Sequence, residues 1–203
     1  MSAMAKIISA PLILLLAFFA QGLVASPVLA AETEQVSAST GSAQKRKIDT
    51  LFSELKRERD PQKARAISDQ IRVEWQTPDS ATVKLLMQWA AKAVETERNA
   101  TALDMLDQVV TLSPLYAEGW NQRATLHFRM GNYRKSMSDI NRVLQLEPRH
   151  FGALAGMAAI LTSSGSDELA LRAWEQFLAV YPADRQAQEQ LGELEEKLAG
   201  NRT

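Results

Sequence analysis

Apolar residues recur three and four positions apart along most of the chain. One such stripe consists of Ile48, Leu51, Phe52 and Leu55, and a second runs from Ala64 to Trp75. This spacing places the apolar side chains on one face of a helix. Proline interrupts the pattern at Pro61 and Pro78, and no segment shows the sustained alternation that is typical of strands. The pattern therefore predicts an all-α fold.

The pattern itself repeats every 34 residues. The repeat is clearest at three prolines, Pro114, Pro148 and Pro182. Small residues keep the same interval at two further places: Ala90, Ala124 and Ala158, and then Ala102, Ser136 and Ala170. Because small residues recur where small ones stood before, the interval indicates a periodic packing constraint between stacked helices.

A period of 34 residues with two helices per unit resembles the tetratricopeptide repeat family, whose pattern is W-x2-L-G-x2-Y, then A-x3-F, then P. The copies span 83–116, 117–150 and 151–184. The second copy matches best, with Trp120, Arg123, Ala124, His127, Ser136, Ile140 and Pro148 at the pattern places. Arg123 and His127 depart from the pattern, and Glu97 stands where the other copies have glycine. The resemblance implies a right-handed α-solenoid of antiparallel helix pairs.

The segments around these copies are predicted by weaker signals. Residues 44–80 align as a degenerate fourth helix pair if their internal turn is two residues shorter. Residues 185–203 are expected to form a capping helix and tail, because their outer face is charged. Residues 31–43 are small and polar without periodicity, so they are predicted to be a flexible tether.

Residues 1–30 have the three-part layout of a secretory signal peptide. Lys6 precedes an apolar run from Ile7 to Ala20, and Val28 and Ala30 offer small residues at a cleavage site. The alternative is an uncleaved membrane anchor, but the run falls short of the roughly 20 apolar residues that a span needs. The sequence therefore predicts export across the inner membrane, no stable span after cleavage and a periplasmic location.

The composition excludes several classes of partner and of active site. The formal net charge of −1 gives no reason to expect nucleic acid as a partner, and the absence of cysteine excludes disulfides and thiolate sites. No catalytic or phosphate-binding motif is present. His127 and His150 lack further ligands and are interpreted as packed or turn-capping residues. We predict no catalytic residue, no metal and no cofactor, and core positions for all four tryptophans.

In the family that the chain resembles, ligands commonly lie along the concave face. The second, fifth, ninth, twelfth and thirteenth places of each first helix line that face. These are Lys84, Met87, Ala91, Val94 and Glu95 in the first unit, and Glu118, Asn121, Thr125, Phe128 and Arg129 in the second. The third unit has only small residues there, from Gly152 to Ser163. Met87 replaces the lysine of the chaperone-binding subclass, so a carboxylate clamp is not implied.

Two residues of the second unit have alternative interpretations. Phe128 either anchors a partner or packs against the neighbouring unit. Arg123 either pairs with Asp139 or extends its charged end into water, because an unpaired charge inside a helix pair is costly.

The favoured function is a non-catalytic adaptor or scaffold of the cell envelope that binds another protein or peptide. A self-associating structural protein and an accessory factor of cell-wall enzymes are the alternatives.

Overall fold

The computed structural model describes the backbone of residues Pro27–Gly200 and the side chains of residues 42–200. The chain divides into two compact units, Met1–Thr40 and Gly41–Thr203. The described residues form nine helices and no strand. The helices are α1 (Pro27–Arg57), α2 (Pro61–Trp75), α3 (Ala81–Glu95), α4 (Asn99–Leu112), α5 (Ala117–Arg129), α6 (Tyr133–Leu146), α7 (Phe151–Ser163), α8 (Asp167–Val180) and α9 (Arg185–Gly200).

Helices α3 to α8 form three consecutive antiparallel pairs, α3–α4, α5–α6 and α7–α8, and each pair packs against the next one. Helix α9 packs against α8. The predicted all-α solenoid is confirmed. Of the predicted signal peptide only its last four residues, 27–30, are described, within α1. Within the described residues, no helix combines the length and apolar character needed to cross a membrane.

Small residues allow the helices to approach each other closely. Ala124 and Ser136 are buried, and the Ser136 hydroxyl donates a hydrogen bond of 2.8 Å to the Ala124 carbonyl oxygen across the α5–α6 pair. Gly119 allows a similarly close approach between units, at the contact of α5 with α4. A methyl group at Gly119 would lie 2.6 Å from Cγ1 of Val109. The 34-residue recurrence of small residues thus reflects helix crossings that leave no room for larger side chains.

The turn inside each helix pair requires a left-handed backbone at one place. Gly131 and Gly165 have φ angles of 74° and 71°, and Glu97 takes the same conformation with φ at 56°. Glycine adopts this conformation without steric strain, whereas a side chain disfavours it. The missing glycine of the first unit therefore leaves the turn geometry unchanged.

Helices α1 and α2 depart from two predictions. The backbone of 31–43 is helical within α1, so the tether prediction is corrected. No proline occurs between Pro27 and Pro61, and alanine, glutamate and glutamine favour helix. Residues 44–80 also do not precede the array as a fourth repeat, because their large apolar side chains pack elsewhere.

The side chains of α1 and α2 pack against the third repeat and α9. The cluster that they share consists of Leu51, Phe52, Leu55, Ala64, Ile71, Trp75, Phe151, Leu154, Ala158, Ala170, Ala173, Trp174, Phe177, Tyr181, Ala183, Ala187 and Leu194. Trp75 lies 4.9 Å from the ring of Phe151, and Arg149 bonds to Asp49 at 2.8 Å. These contacts join residues that are 76 and 100 positions apart, and a 34-residue repeat cannot predict them.

Helix α9 closes the array at its C-terminal end. Ala187, Leu194 and Leu198 are buried, and Lys197 pairs with Asp167 of α8 at 2.7 Å. The exposed face carries Glu189, Glu193, Glu195 and Glu196. The tryptophan prediction is only partly right: Trp75 and Trp174 are buried and Trp120 is half-buried, but Trp89 is 53% exposed.

Candidate partner-binding groove

An open cleft of about 420 Å³ runs along the concave side of α3. All five concave-face positions of the first unit line it, and α4, α5 and the residue that follows α2 supply the remaining walls. The lining residues are Gln76, Lys84, Met87, Gln88, Ala90, Ala91, Val94, Glu95, Leu106 and Gln122. The family-derived positions of this unit are thus brought together in one cavity.

The cleft has an apolar floor and oppositely charged ends. Met87, Val94 and Leu106 belong to the apolar floor, while Lys84 and Glu95 stand eleven residues apart on α3. At 1.5 Å per residue these two charges are separated by about 16 Å. Lys84 makes no ion pair among the described residues, and Glu95 makes only an exposed one with Lys92 at 3.0 Å. Such exposed pairs exchange readily with a partner's charges.

Glu118 does not line the cleft along α3. Its side chain is buried, and its carboxylate accepts hydrogen bonds from the amides of Asn121, at 3.1 Å, and Gln122. The prediction that Glu118 binds a partner is therefore corrected. The place that should face outward in the repeat is covered here by the turn that enters the third unit.

His150 belongs to that covering turn. Its Nδ1 accepts the backbone N–H of Ala153 at 3.1 Å, and it caps the start of α7. A neutral ring then carries its proton on Nε2, which lies 3.2 Å from the Glu118 carboxylate and can donate to it. The indole of Trp75 stacks on the imidazole, with the ring centroids 4.0 Å apart. The interpretation of His150 as a turn-capping residue is confirmed.

The remaining predicted groove residues of the second unit have mixed environments. Thr125 is exposed, but its hydroxyl donates to the Asn121 carbonyl at 2.9 Å. Phe128 is half-buried against the apolar cluster of α5, α6 and α7, with its ring centroid 5.4 Å from that of Tyr133. Arg129 is exposed. Much of the Phe128 side chain thus packs against its neighbours, as the packing alternative predicted. The open part of the groove lies in the first unit.

Arg123 pairs with Asp139, as one of its two interpretations predicted. Its Nε and Nη2 donate to the two carboxylate oxygens at 2.8 and 2.7 Å, and Nη1 donates to Asp107 of the preceding unit at 2.8 Å. These hydrogen bonds, that to Asp139 foremost, raise the pKa of Arg123 above its ordinary value. The guanidinium also lies 4.8 Å from the Trp120 ring. These contacts compensate the charge of an arginine that stands where the repeat pattern has leucine.

A second crevice, of about 600 Å³, lies where α2 ends near the turn before α5. Its carboxylates include Glu74, Glu118 and Glu147, and each already has an internal partner: Lys47, His150 and Arg149 respectively. Among residues 42–200 no group of three His, Asp or Glu side chains could hold a metal ion. The cleft along α3 therefore remains the best candidate site.

The third unit presents less open surface than its small residues suggest. Ala155 packs against the cluster that α1 and α2 share with this unit. The repeat pattern did not predict the glutamines of the cleft, Gln76, Gln88 and Gln122, because none of them occupies one of its concave-face positions.

Comparison with known proteins gives a consistent result. No family model matches the chain. A TPR repeat-containing protein of Rhizobium etli is 63% identical over 181 residues, which cover 87% of this chain and 88% of the relative. The solved first TPR of Spaghetti (RPAP3), bound to the HSP90 peptide SRMEEVD, superposes with a TM-score of 0.56 at 21% identity over 60% of this chain and 96% of that chain. The TPR2B domain of yeast Sti1, in complex with an Hsp70 peptide, gives 0.53 at 13% identity over 58% and 99%.

Proposed function

The chain belongs to the tetratricopeptide repeat family, and on that basis we propose that it is a non-catalytic adaptor that binds a segment of another protein in the cleft along α3. The cleft is the observation that carries the proposal, because the five places at which this family commonly holds ligands line a single open cavity. Solved domains of this fold that hold peptides support a peptide as the ligand.

The lining of the cleft suggests the chemistry of that segment. An apolar floor favours burial of an aliphatic or aromatic side chain, which would supply most of the affinity. Lys84 would attract an acidic residue at one end and Glu95 a basic one at the other. A spacing of about 16 Å corresponds to some five residues of extended peptide or three turns of helix.

We further propose that the protein acts in the cell envelope. The layout of residues 1–30 supports this location. N-terminal sequencing of protein recovered from its native host should begin near Ala31. Recovery of an intact Met1 in the membrane fraction would show that the segment is retained as an anchor.

Site-specific photocrosslinking in the native host tests the adaptor proposal. A photoreactive residue at Gln88, which is exposed on the rim, should capture a discrete partner band. Ala91→Arg, which fills the cleft from an exposed position, should abolish that band. Ala199→Arg places the same side chain at an exposed helical alanine on α9 and should leave the band unchanged.

The two substitutions make the outcome decisive. Both replace exposed alanines, so neither should disturb folding, and circular dichroism verifies this. A band that survives Ala91→Arg in folded protein would show that the partner binds elsewhere, and the adaptor site would have to be abandoned.

A further inference from the structure

The first helix of each repeat uses fixed places to contact the unit before it. In the second unit these are the third, seventh and tenth places, occupied by Gly119, Arg123 and Leu126. Gly119 lies against Val109, and Arg123 bonds to Asp107 of α4. Leu126 is buried in the apolar cluster of α3 and α4.

The third unit follows the same rule. Ala153, Met157 and Ile160 occupy these places, and all three pack in one cluster with Ile140 and Val143 of α6. The rule therefore holds at both junctions between repeats.

In the first unit the same places are Leu85, Trp89 and Lys92, and no repeat precedes them. Leu85 is 43% exposed and Trp89 is 53% exposed. Helices α1 and α2 do not cover them, because they pack on the third repeat and α9. Nothing in the described part of the chain covers this surface, which is built in the register of a repeat junction.

Asp104 of α4 completes this surface. The equivalent residues, Ser138 and Arg172, line crevices together with side chains of the preceding unit's second helix. Asp104 is exposed and makes no ion pair among the described residues. We call Leu85, Trp89, Lys92 and Asp104 the end face.

We propose that the end face binds the end face of a second copy of this chain, forming a two-fold dimer. Head-to-tail stacking is blocked, because α9 covers the other end with a charged surface. A pairing of identical faces closes after two copies. It is also self-complementary: Lys92 and Asp104 lie on different helices, so a two-fold axis between α3 and α4 brings each lysine to the partner's aspartate. Lys92 already pairs with Glu95 of the cleft at 3.0 Å, but this contact is exposed, so it can exchange for the aspartate of the second copy.

The size of the end face sets the expected affinity. Two helices of 15 and 14 residues present a face of about 22 by 20 Å, or roughly 450 Å² per copy. The total of roughly 900 Å² lies in the range of weak, transient interfaces, so we expect a weak dimer that forms at micromolar or higher concentration. An exposed tryptophan at its centre is the residue type that dominates such interfaces.

Sedimentation equilibrium of the full chain tests the proposal. The chain should dimerise at micromolar concentration, and Trp89→Ala should raise the dissociation constant by roughly 10- to 100-fold. Leu85→Ala should also weaken the dimer. Its matched control is Leu112→Ala, another exposed helical leucine, 58% exposed and outside the end face, which should have no effect. A chain that is monomeric throughout, or a dimer insensitive to Trp89→Ala, overturns the proposal.

Reversing the charges of Lys92 and Asp104 tests the orientation of the two copies in the dimer. Lys92→Asp and Asp104→Lys should each weaken the dimer by a few-fold, and combining them should restore it, because the pair is then reversed. If the combined variant is weaker than either single one, the two-fold pairing is wrong.

A disulfide supplies a direct readout. The chain has no cysteine, so Lys92→Cys combined with Asp104→Cys introduces thiols at the two positions that the two-fold axis brings together, and Trp89 is kept. Mild oxidation should link this variant into a covalent dimer and leave Glu193→Cys, on the exposed face of α9, unlinked. Equal linking of both variants, or linking of neither, contradicts the end-face dimer.

Discussion

The guanidinium of Arg123 holds the carboxylate of Asp139 through two parallel hydrogen bonds across the α5–α6 pair. Asp139 is buried, and its side chain is only 6% exposed, whereas that of Arg123 is 18% exposed. Asp139 has thus lost most of its hydration, and the bidentate contact with Arg123 compensates for that loss. Removing Arg123 would leave the carboxylate of Asp139 buried without a cation.

Arg123→Ala should lower the free energy of unfolding by about 3 kcal/mol, because it leaves a buried carboxylate without its cation. The combined change Arg123→Met with Asp139→Leu should recover most of that loss, since an apolar pair of similar size needs no desolvation of charge. Urea denaturation measures both.

Asp69→Ala is the control for the pair. It removes an exposed ion pair with Arg72 and should change the free energy of unfolding by less than about 1 kcal/mol. If Arg123→Ala were no worse than this control, the buried pair would contribute nothing to stability.

Gly119→Ala should destabilise the protein by about 1–3 kcal/mol. The added methyl group would meet Val109 at 2.6 Å and the Tyr116 ring at 3.2 Å, so α5 must move away from α4. Gly192→Ala is the matched control, because nothing lies within 4 Å of a methyl group there. That substitution in α9 should stabilise by about 0.5–1 kcal/mol. Thermal or urea unfolding that ranks the two variants in the opposite order would refute the close approach at Gly119.

The 34-residue register predicts the contacts that are made within one repeat or between neighbouring repeats. It placed the buried small residues, and it led to the pairing of Arg123 with Asp139, because both residues occupy known places of one unit. It did not predict contacts with segments that lie outside the three repeats. Trp75 stacks on His150 and helps enclose Glu118, and nothing in a local pattern indicates that α2 lies there. Trp89 was assigned to the core because a preceding unit was assumed.

His127 should make the protein less stable in mild acid. Burial is the largest influence and lowers the pKa of its imidazole below the ordinary value of 6.5, although the nearby carboxylate of Asp139 opposes the shift. Lys135 and Arg123 add to the lowering, and Asp107 opposes it. The unfolded chain therefore binds a proton at this residue more readily than the folded one. Its contribution to stability is present above pH about 6.5 and is lost as the pH falls below that value.

His127→Leu tests this pH dependence, because Leu161 occupies the same place in the third unit. The buried Nδ1 of His127 has no hydrogen-bond partner among the described residues, so the substitution leaves no other group unsatisfied. The difference in unfolding free energy between the variant and the original chain should grow from pH 7 to pH 5. A difference that stays constant over this range would mean that His127 titrates equally in both states.

Trp75→Ala probes the attachment of α1 and α2 to the third repeat. The indole is buried between His150, Phe151 and Phe52, and its truncation should lower the free energy of unfolding by about 3–5 kcal/mol. Hydrogen exchange should locate the effect. Amides of α2 and of the turn 147–151 should exchange faster, while those of α3 and α4 keep their protection, because neither helix shares the cluster that contains Trp75. Val73→Ala, on the same helix as Trp75 but at a position that is 60% exposed, is the control and should leave both the stability and the exchange of the turn 147–151 nearly unchanged. If α1 and α2 instead stacked before α3 as a fourth repeat, Trp75→Ala would expose α3 and α4 first, and the exchange pattern would be reversed.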